Sequence, residues 1–251
     1  MKNVHFISSC YPYRQQRHGE SDDSFVYRKV QELEDKFRDL GPNKVMAFIA
    51  EPVVGAALGC VTAPKGYLKR MKEVCHKHGA LFIVDEVMCG MGRTGTLHAW
   101  KQHDVVPDIQ VIGKGLAGGY EPLAGMLVSK EIVNTLNEEF IHGFTYDASP
   151  YASATGLAVQ RIIQERNLLL NVSTVGSYLG DKLKENLKDH RNVGDIRGRG
   201  LFWGIELVKD KLTKEPFDRE SDVANGIRNM GLSNFDILLM VVQMVIKEIS
   251  S

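Results

Sequence analysis

The sequence predicts an α/β fold built on a mostly parallel sheet, followed by the start of a small α+β unit. Three observations carry this expectation. Two short apolar runs, Leu81–Val84 and, around Gln110, Ile109–Ile112, each lead into a charged residue, Asp85 directly and Lys114 after one glycine. Runs of this length between turn residues suit parallel strands covered on both faces. Amphipathic helical patterns alternate with the strand-like runs, as in α/β proteins. From Val193 the pattern changes to two strands around Gly198 and Gly200, the entry to an α+β unit.

Taken in order, Met1–Asp22 reads as irregular. Ser24–Leu40 reads as a helix, because Phe25, Val26, Val30, Leu33, Phe37 and Leu40 recur at spacings of three and four and Gly41-Pro42 stops it. Val45–Ala50 is a strand ending in Glu51-Pro52, and Val53–Gly59 a glycine-rich loop. Lys65–His78 is an amphipathic helix closed by Gly79, with Leu68, Met71, Val74 and Cys75 inward. After the two central strands come a strand at Ala124–Val128 and helices at Lys130–Leu136, Pro150–Glu165 and Val172–Leu187. Val193–Arg197 and Leu201–Val208 are the last strands. The expected units are residues 1–190, a partial large domain; 191–220, the start of a small domain; and 221–251, a divergent tail.

Composition bounds the function. The chain has 251 residues, 43% hydrophobic and 25% charged, which is ordinary for a globular protein with a sizeable core. Its formal net charge is zero, so nothing favours nucleic acid or an anionic membrane as partner. The four cysteines, Cys10, Cys60, Cys75 and Cys89, form no CxxC pair. That fits a reducing compartment and makes a poor metal pattern, so no metal site is expected. The N-terminal apolar run is too short for a signal peptide, and Ile237–Ile246 is too short to span a bilayer. The cytoplasm is the expected compartment, with the mitochondrion as the alternative.

Two glycine motifs compete for attention. Gly90, Gly92 and Gly95 match GxGxxG after a strand, the dinucleotide-binding fingerprint. That fingerprint needs a helix directly after it and an acid at the end of the next strand. Here the next strand ends in Gly113-Lys114, which argues against a nicotinamide or flavin. A phosphate-binding P-loop at Gly113-Lys114 is weaker still, because residue 115 is glycine rather than serine or threonine.

Ligands of parallel sheets bind outside the carboxyl ends of the strands, so Asp85 and Lys114 are expected to face one crevice. A carboxylate and an amine at neighbouring strand ends are what a pyridoxal 5'-phosphate (PLP) site needs: an amine for the carbonyl, and an acid for the ring nitrogen. The segments GALFIVDEVMCGMGRTGTLHAW, PDIQVIGKGLAGGYEPLAGML and AFIAEPVVGA are similar to the class III PLP-dependent aminotransferases, of PLP fold type I. The resemblance covers most of the chain, from about Tyr11 to Asp218. It implies that Lys114 carries the cofactor and that Asp85 partners the pyridinium. It also implies that Val87 packs on one ring face, that Glu51 lies near the ring and substrate, and that Thr145 contacts the cofactor phosphate across a homodimer interface. The implied reaction moves an amino group from an amine or amino acid to a keto acid.

The sequence also departs from the family pattern. Family members are considerably longer, and the chain resembles a central segment truncated at both ends. A glycine/serine turn for the phosphate and an aromatic for the second ring face would precede Met1. Thr145 stands in Phe144-Thr145-Tyr146 rather than after a histidine, and Met88 stands where many members have glutamine. Weak PLP binding is the expectation for this stretch alone. A catalytically incompetent aminotransferase-like protein is thus one alternative, and a dinucleotide-binding oxidoreductase the other. Arg93 could hold a carboxylate or phosphate, or pair with an acid. Arg197 and Arg199 are expected to serve strand entry and surface pairing, the histidines to form no ligand set, and the charged face of Ser24–Leu40 to be solvated.

Overall fold

The computed structural model describes residues 3–136 and 140–241. The first helices are α1 (Pro12–Gln15) and α2 (Asp22–Leu40). α1 falls inside the stretch expected to be irregular, and its proline suits a first helical turn. Ser21 caps α2 by accepting the Ser24 N–H at 3.2 Å, and Asp22 and Asp23 suit the positive end of its dipole. Next come β1 (Ala47–Ala50), β2 (Val53–Val54), β3 (Val61–Thr62) and α3 (Tyr67–Lys77). The expected loop Val53–Gly59 therefore begins in a strand. β2 pairs antiparallel with β3 through Val53–Thr62 and Val54–Val61, too short a ladder to show a period. Gly66 adopts a left-handed backbone at φ +81°, which sets the start of α3 at Tyr67.

The site-bearing sheet follows: β4 (Leu81–Asp85), β5 (Ile109–Ile112) and β6 (Gly125–Val128), in the order β1-β4-β5-β6. β1, β4 and β5 are parallel, and β6 is antiparallel to β5. The long crossover between β4 and β5 contains a 3-10 turn, Ala99–His103, and no α-helix. α4 (Lys130–Val133) is shorter than expected, α5 (Pro150–Glu165) matches its expected bounds, and α6 begins earlier, at Leu168, and runs to Leu187. β7 (Val193–Arg199) and β8 (Phe202–Leu207) form a separate antiparallel hairpin, and α7 (Val223–Phe235) follows it. Of the apolar run Ile237–Ile246, the part from 242 onward lies outside the described residues.

The core sits on one face of the sheet. Phe82 and Val84 are fully buried against Leu68, Met71 and Cys75 of α3, with Val26, Leu33 and Phe37 of α2 behind them. Burial of each such side chain contributes about 1.5–3 kcal/mol. The opposite face bears Ile49, Ile83, Ile109 and Val111, none of which joins a core cluster, and Ile49 is 57% exposed. The expectation of cover on both faces is thus met on one among the described residues. The reason is where α5 and α6 go: α5 packs mainly on the turn after β5 and on α6, and α6 mainly on β7. α2 is not solvated along its whole charged face either. Lys29 is 2% exposed and donates to Ser8 Oγ, while Glu34 takes Lys77 at 2.7 Å and His78 at 3.1 Å.

Candidate active site

Three parallel strands deliver three charged residues to one edge. β1 ends before Glu51, β4 ends in Asp85, and β5 ends one residue before Gly113-Lys114. The register aligns Ala50 with Val84 and Asp85 with Val111, so Glu51 and Asp85 leave the sheet at one level and Lys114 follows three residues beyond it. Glu51 reports their closeness. Burial raises its pKa, the Gly55 N–H at 3.0 Å opposes that rise, the Asp85 charge adds to it and the Lys114 charge lowers it.

Asp85 lies on the open face with Ile83, by the two-residue strand period. Its Oδ1 accepts the Val87 N–H at 2.9 Å, an Asx turn that fixes the carboxylate as the chain leaves β4. No other donor reaches this carboxylate among the described residues. Val87 lies beside Gly113: a Cβ there would stand 3.5 Å from Val87 Cγ1. Lys114 opens a 3-10 turn, Lys114–Ala117, with a left-handed backbone at φ +42°. A non-glycine residue in that conformation costs on the order of 1–3 kcal/mol and marks a place where the surroundings over-determine the backbone. Its ammonium has neither a hydrogen bond nor an ion pair among the described residues. Thr145 is not part of this cluster. It is exposed on the turn Phe144–Asp147, which the Asp147 N–H closes onto the Phe144 carbonyl at 2.9 Å.

Glu86, next to Asp85, was not singled out by the sequence. It points the opposite way and is fully buried. Its carboxylate accepts the Ala99 N–H at 2.8 Å, the Trp100 N–H at 2.7 Å and Gln110 Nε2 at 2.9 Å. Burial raises its pKa, and these three donors oppose the rise. Glu86 thus ties the far end of the crossover to the root of the site. Asp108 does the same before β5. Burial pushes its pKa up, but the Phe82 N–H at 2.7 Å, His76 at 2.9 Å and Lys72 at 3.3 Å together hold it below its ordinary value.

Arg197 is an internal clamp rather than a surface pair. With its side chain 12% exposed, it bonds the Leu58 and Gly59 carbonyls, Asp195 and Glu206, because β7 runs behind the Glu51–Cys60 turn. Arg199 reaches Gln102 at 2.9 Å. His76 and His78 hold acids, His98 meets Gln110, and no metal-binding group of three arises among the described residues. The residues after Gly90, Gly92 and Gly95 run into turns rather than a helix, so the dinucleotide context is missing. No helix among the described residues is long and apolar enough to cross a membrane.

Comparison with known proteins shows the family and the fold. The family model "Aminotransferase class-III" matches residues 2–248, past Asp218 and through most of the C-terminal stretch. An aminotransferase of Gibberella zeae is 48% identical over 240 residues, covering 94% of this chain and 47% of its own length. The putrescine–pyruvate aminotransferase of Pseudomonas aeruginosa is 41% identical over 199 residues, 78% of this chain and 43% of its own. The solved structure of a thermostable (S)-enantioselective omega-transaminase from Thermomicrobium roseum superposes with a TM-score of 0.83 at 42% identity, covering 88% of this chain and 49% of that one. The chain spans about half the length of the curated relatives it matches. With the family model covering nearly every residue and the strand-end carboxylate and amine both present, the chain belongs to the class-III aminotransferases.

Proposed function

We propose that the chain carries the cofactor-bearing part of a PLP-dependent aminotransferase, which moves an amino group from an amine or amino acid to a keto acid. The observation that supports this most is the convergence of Lys114 and Asp85 at adjacent parallel strand ends, with neither side chain tied into an ion pair. The residues present fit the ring end of PLP. Lys114 offers an unpaired amine to the carbonyl carbon, Asp85 an acceptor oxygen to the ring nitrogen, and Val87 an apolar shelf beside them. Bound PLP supplies an electron sink for the carbon being deprotonated.

The protein's own groups supply the rest. The Lys114 amine takes a proton from the substrate carbon and returns it on the other side of the exchange. Asp85 holds the ring-nitrogen proton, and its charge acts most strongly as negative charge builds on the ring. Glu51, with its pKa raised by burial, feels the charges of both groups. Thr145, exposed and away from Lys114, is suited to reach the phosphate of a second copy, which makes the working form a homodimer. The four free thiols, three of them buried, suit a reducing compartment such as the cytoplasm.

The test is titration with PLP, followed by borohydride reduction and peptide mapping. The label is expected on Lys114 and should vanish in Lys114→Ala; an undiminished label elsewhere would sink the assignment. Asp85→Asn is expected to lower turnover about 100-fold or more while cofactor occupancy changes far less. Saturable labelling without turnover in the unsubstituted chain would instead establish the incompetent alternative.

A further inference from the structure

Glu51 leaves β1 into a tight turn, and the β7–β8 hairpin holds that turn from behind. Glu51 Oε2 accepts the Gly55 N–H at 3.0 Å, and the Gly55 carbonyl accepts the Gly59 N–H at 2.8 Å. The carbonyls at the far end of the turn accept from one guanidinium. Arg197 Nη2 donates to Leu58 at 2.7 Å and Nε to Gly59 at 2.8 Å. A series of hydrogen bonds thus runs from Arg197 through Gly59 and Gly55 to the Glu51 carboxylate. Gly55 is the only donor to that carboxylate among the described residues.

The turn is wedged on both sides. A Cβ at Gly204 of β8 would collide with the Gly59 oxygen, and a Cβ at Gly55 would overlap Met88 Sδ. Gly59 and Cys60 both adopt left-handed backbone, at φ +68° and +61°. For Cys60 that conformation costs on the order of 1–3 kcal/mol, and it persists only where the surroundings over-determine the chain. The guanidinium clamp and the Gly204 contact supply that constraint. Arg197 is itself fixed. Its Nη1 meets Glu206 at 2.6 Å and Asp195 at 3.0 Å, and Arg14 Nε donates to the same Glu206 at 2.6 Å. These acids answer the charge of Arg197, and its planar fork is what reaches two neighbouring carbonyls as well.

We propose that Arg197 is a positioning residue that sets the Glu51 carboxylate against Asp85 and Lys114 by clamping the Leu58–Gly59 end of the turn. It rests on the amino-transfer reading above only for the use the site makes of Glu51, since the positioning belongs to the folded chain. Arg197 touches none of the strand-end residues; its effect on them passes through backbone, which holds a carboxylate at the crevice more precisely than a free side chain would.

The experiment reads Glu51 in the cofactor-free chain. Carbon-13 NMR of glutamate carboxyls, assigned with Glu51→Gln, gives its titration, and the Gly55 amide reports the turn. Arg197→Lys keeps the charge beside Glu206 and cannot bridge both carbonyls. In it the Gly55 amide should exchange about 10-fold faster. The Glu51 midpoint should move up, because the donor that lowers it weakens while burial and the Asp85 charge remain. Arg14→Lys, which alters the same Glu206 cluster away from the turn, should leave both signals in place. A folded Arg197→Lys chain with both signals unchanged overturns the proposal, and so does an equal change in Arg14→Lys. A second measurement needs no substitution. The Arg197 Nε–H and the Gly55 N–H should lose protection in parallel as urea is added; a Gly55 amide still protected after the Arg197 Nε–H is released overturns it. With PLP bound, Arg197→Lys and Glu51→Gln should lower turnover without adding in the double variant, and additive losses overturn it. The NMR effects without turnover in any chain would refute the amino-transfer reading and leave the positioning standing.

Discussion

The two faces of the four-stranded sheet are built from the same strands and have opposite fates. One carries Phe82, Val84 and Gln110, sealed under α2, α3 and Trp100. The other carries Ile83, Ile109 and Val111, each only partly buried, and Ile49, which is exposed. The split continues past the strand end into two adjacent carboxylates. Glu86 follows Phe82 and Val84 to the sealed side and becomes a structural tie, whereas Asp85 follows Ile83 to the open side and stays available for chemistry. A one-residue shift of β4 would exchange the two roles. Strand parity, rather than residue type, thus decides which acid is sealed and which is left on the open face.

Four substitutions would sharpen or break this contrast. Phe82→Ala should cost the most, about 4 kcal/mol, because it empties the centre of the sealed face. Chemical unfolding measures it, and a loss below ~1 kcal/mol would mean that this face is not the core. Glu86→Ala should cost about 3 kcal/mol, since it strands three buried donors that water cannot reach. A near-neutral result would show the tie to be dispensable. His103 comes next. Burial, and secondarily the Arg199 charge, lower its pKa from 6.5 to about 4. The unfolded chain therefore binds a proton that the folded chain rejects, so stability is complete above about pH 6.5, falls between 6.5 and 4, and is about 2 kcal/mol lower at pH 5. His103→Asn should flatten that slope, as unfolding curves at pH 7.5 and pH 5 would reveal. On the open face, Ile49→Thr should change stability by less than about 0.5 kcal/mol. A loss comparable to Phe82→Ala would show that something covers Ile49 after all.

Much of this was legible in the sequence because it is local. The runs Leu81–Val84 and Ile109–Ile112 mark strands by near-continuous apolarity, broken only at Gln110, and the spacing of Phe25, Val26, Leu33 and Phe37 gives α2 its inward stripe. Asp85 and Lys114 follow from where those runs stop. What was not legible depends on distant backbone. The donors on Glu86 are amides of Ala99 and Trp100, and any residue type has an amide. Arg197 is held by the carbonyls of Leu58 and Gly59, with no complementary side chain to announce it. β2 and β3 are two residues each, below any detectable period. Cover on both faces was expected from run composition, which states what a face prefers and not whether a helix lies over it.

The tie between Glu86 and the Ala99 and Trp100 amides has a consequence for how the site moves. The crossover from β4 to β5 contains no α-helix and looks like a loop, yet two of its amide hydrogens point at a carboxylate sealed from water. They exchange with solvent only when the sealed face itself opens, on the same slow clock as the Phe82 amide held by Asp108. The crossover therefore belongs to the same cooperative unit as the sheet and cannot swing as a lid over Asp85.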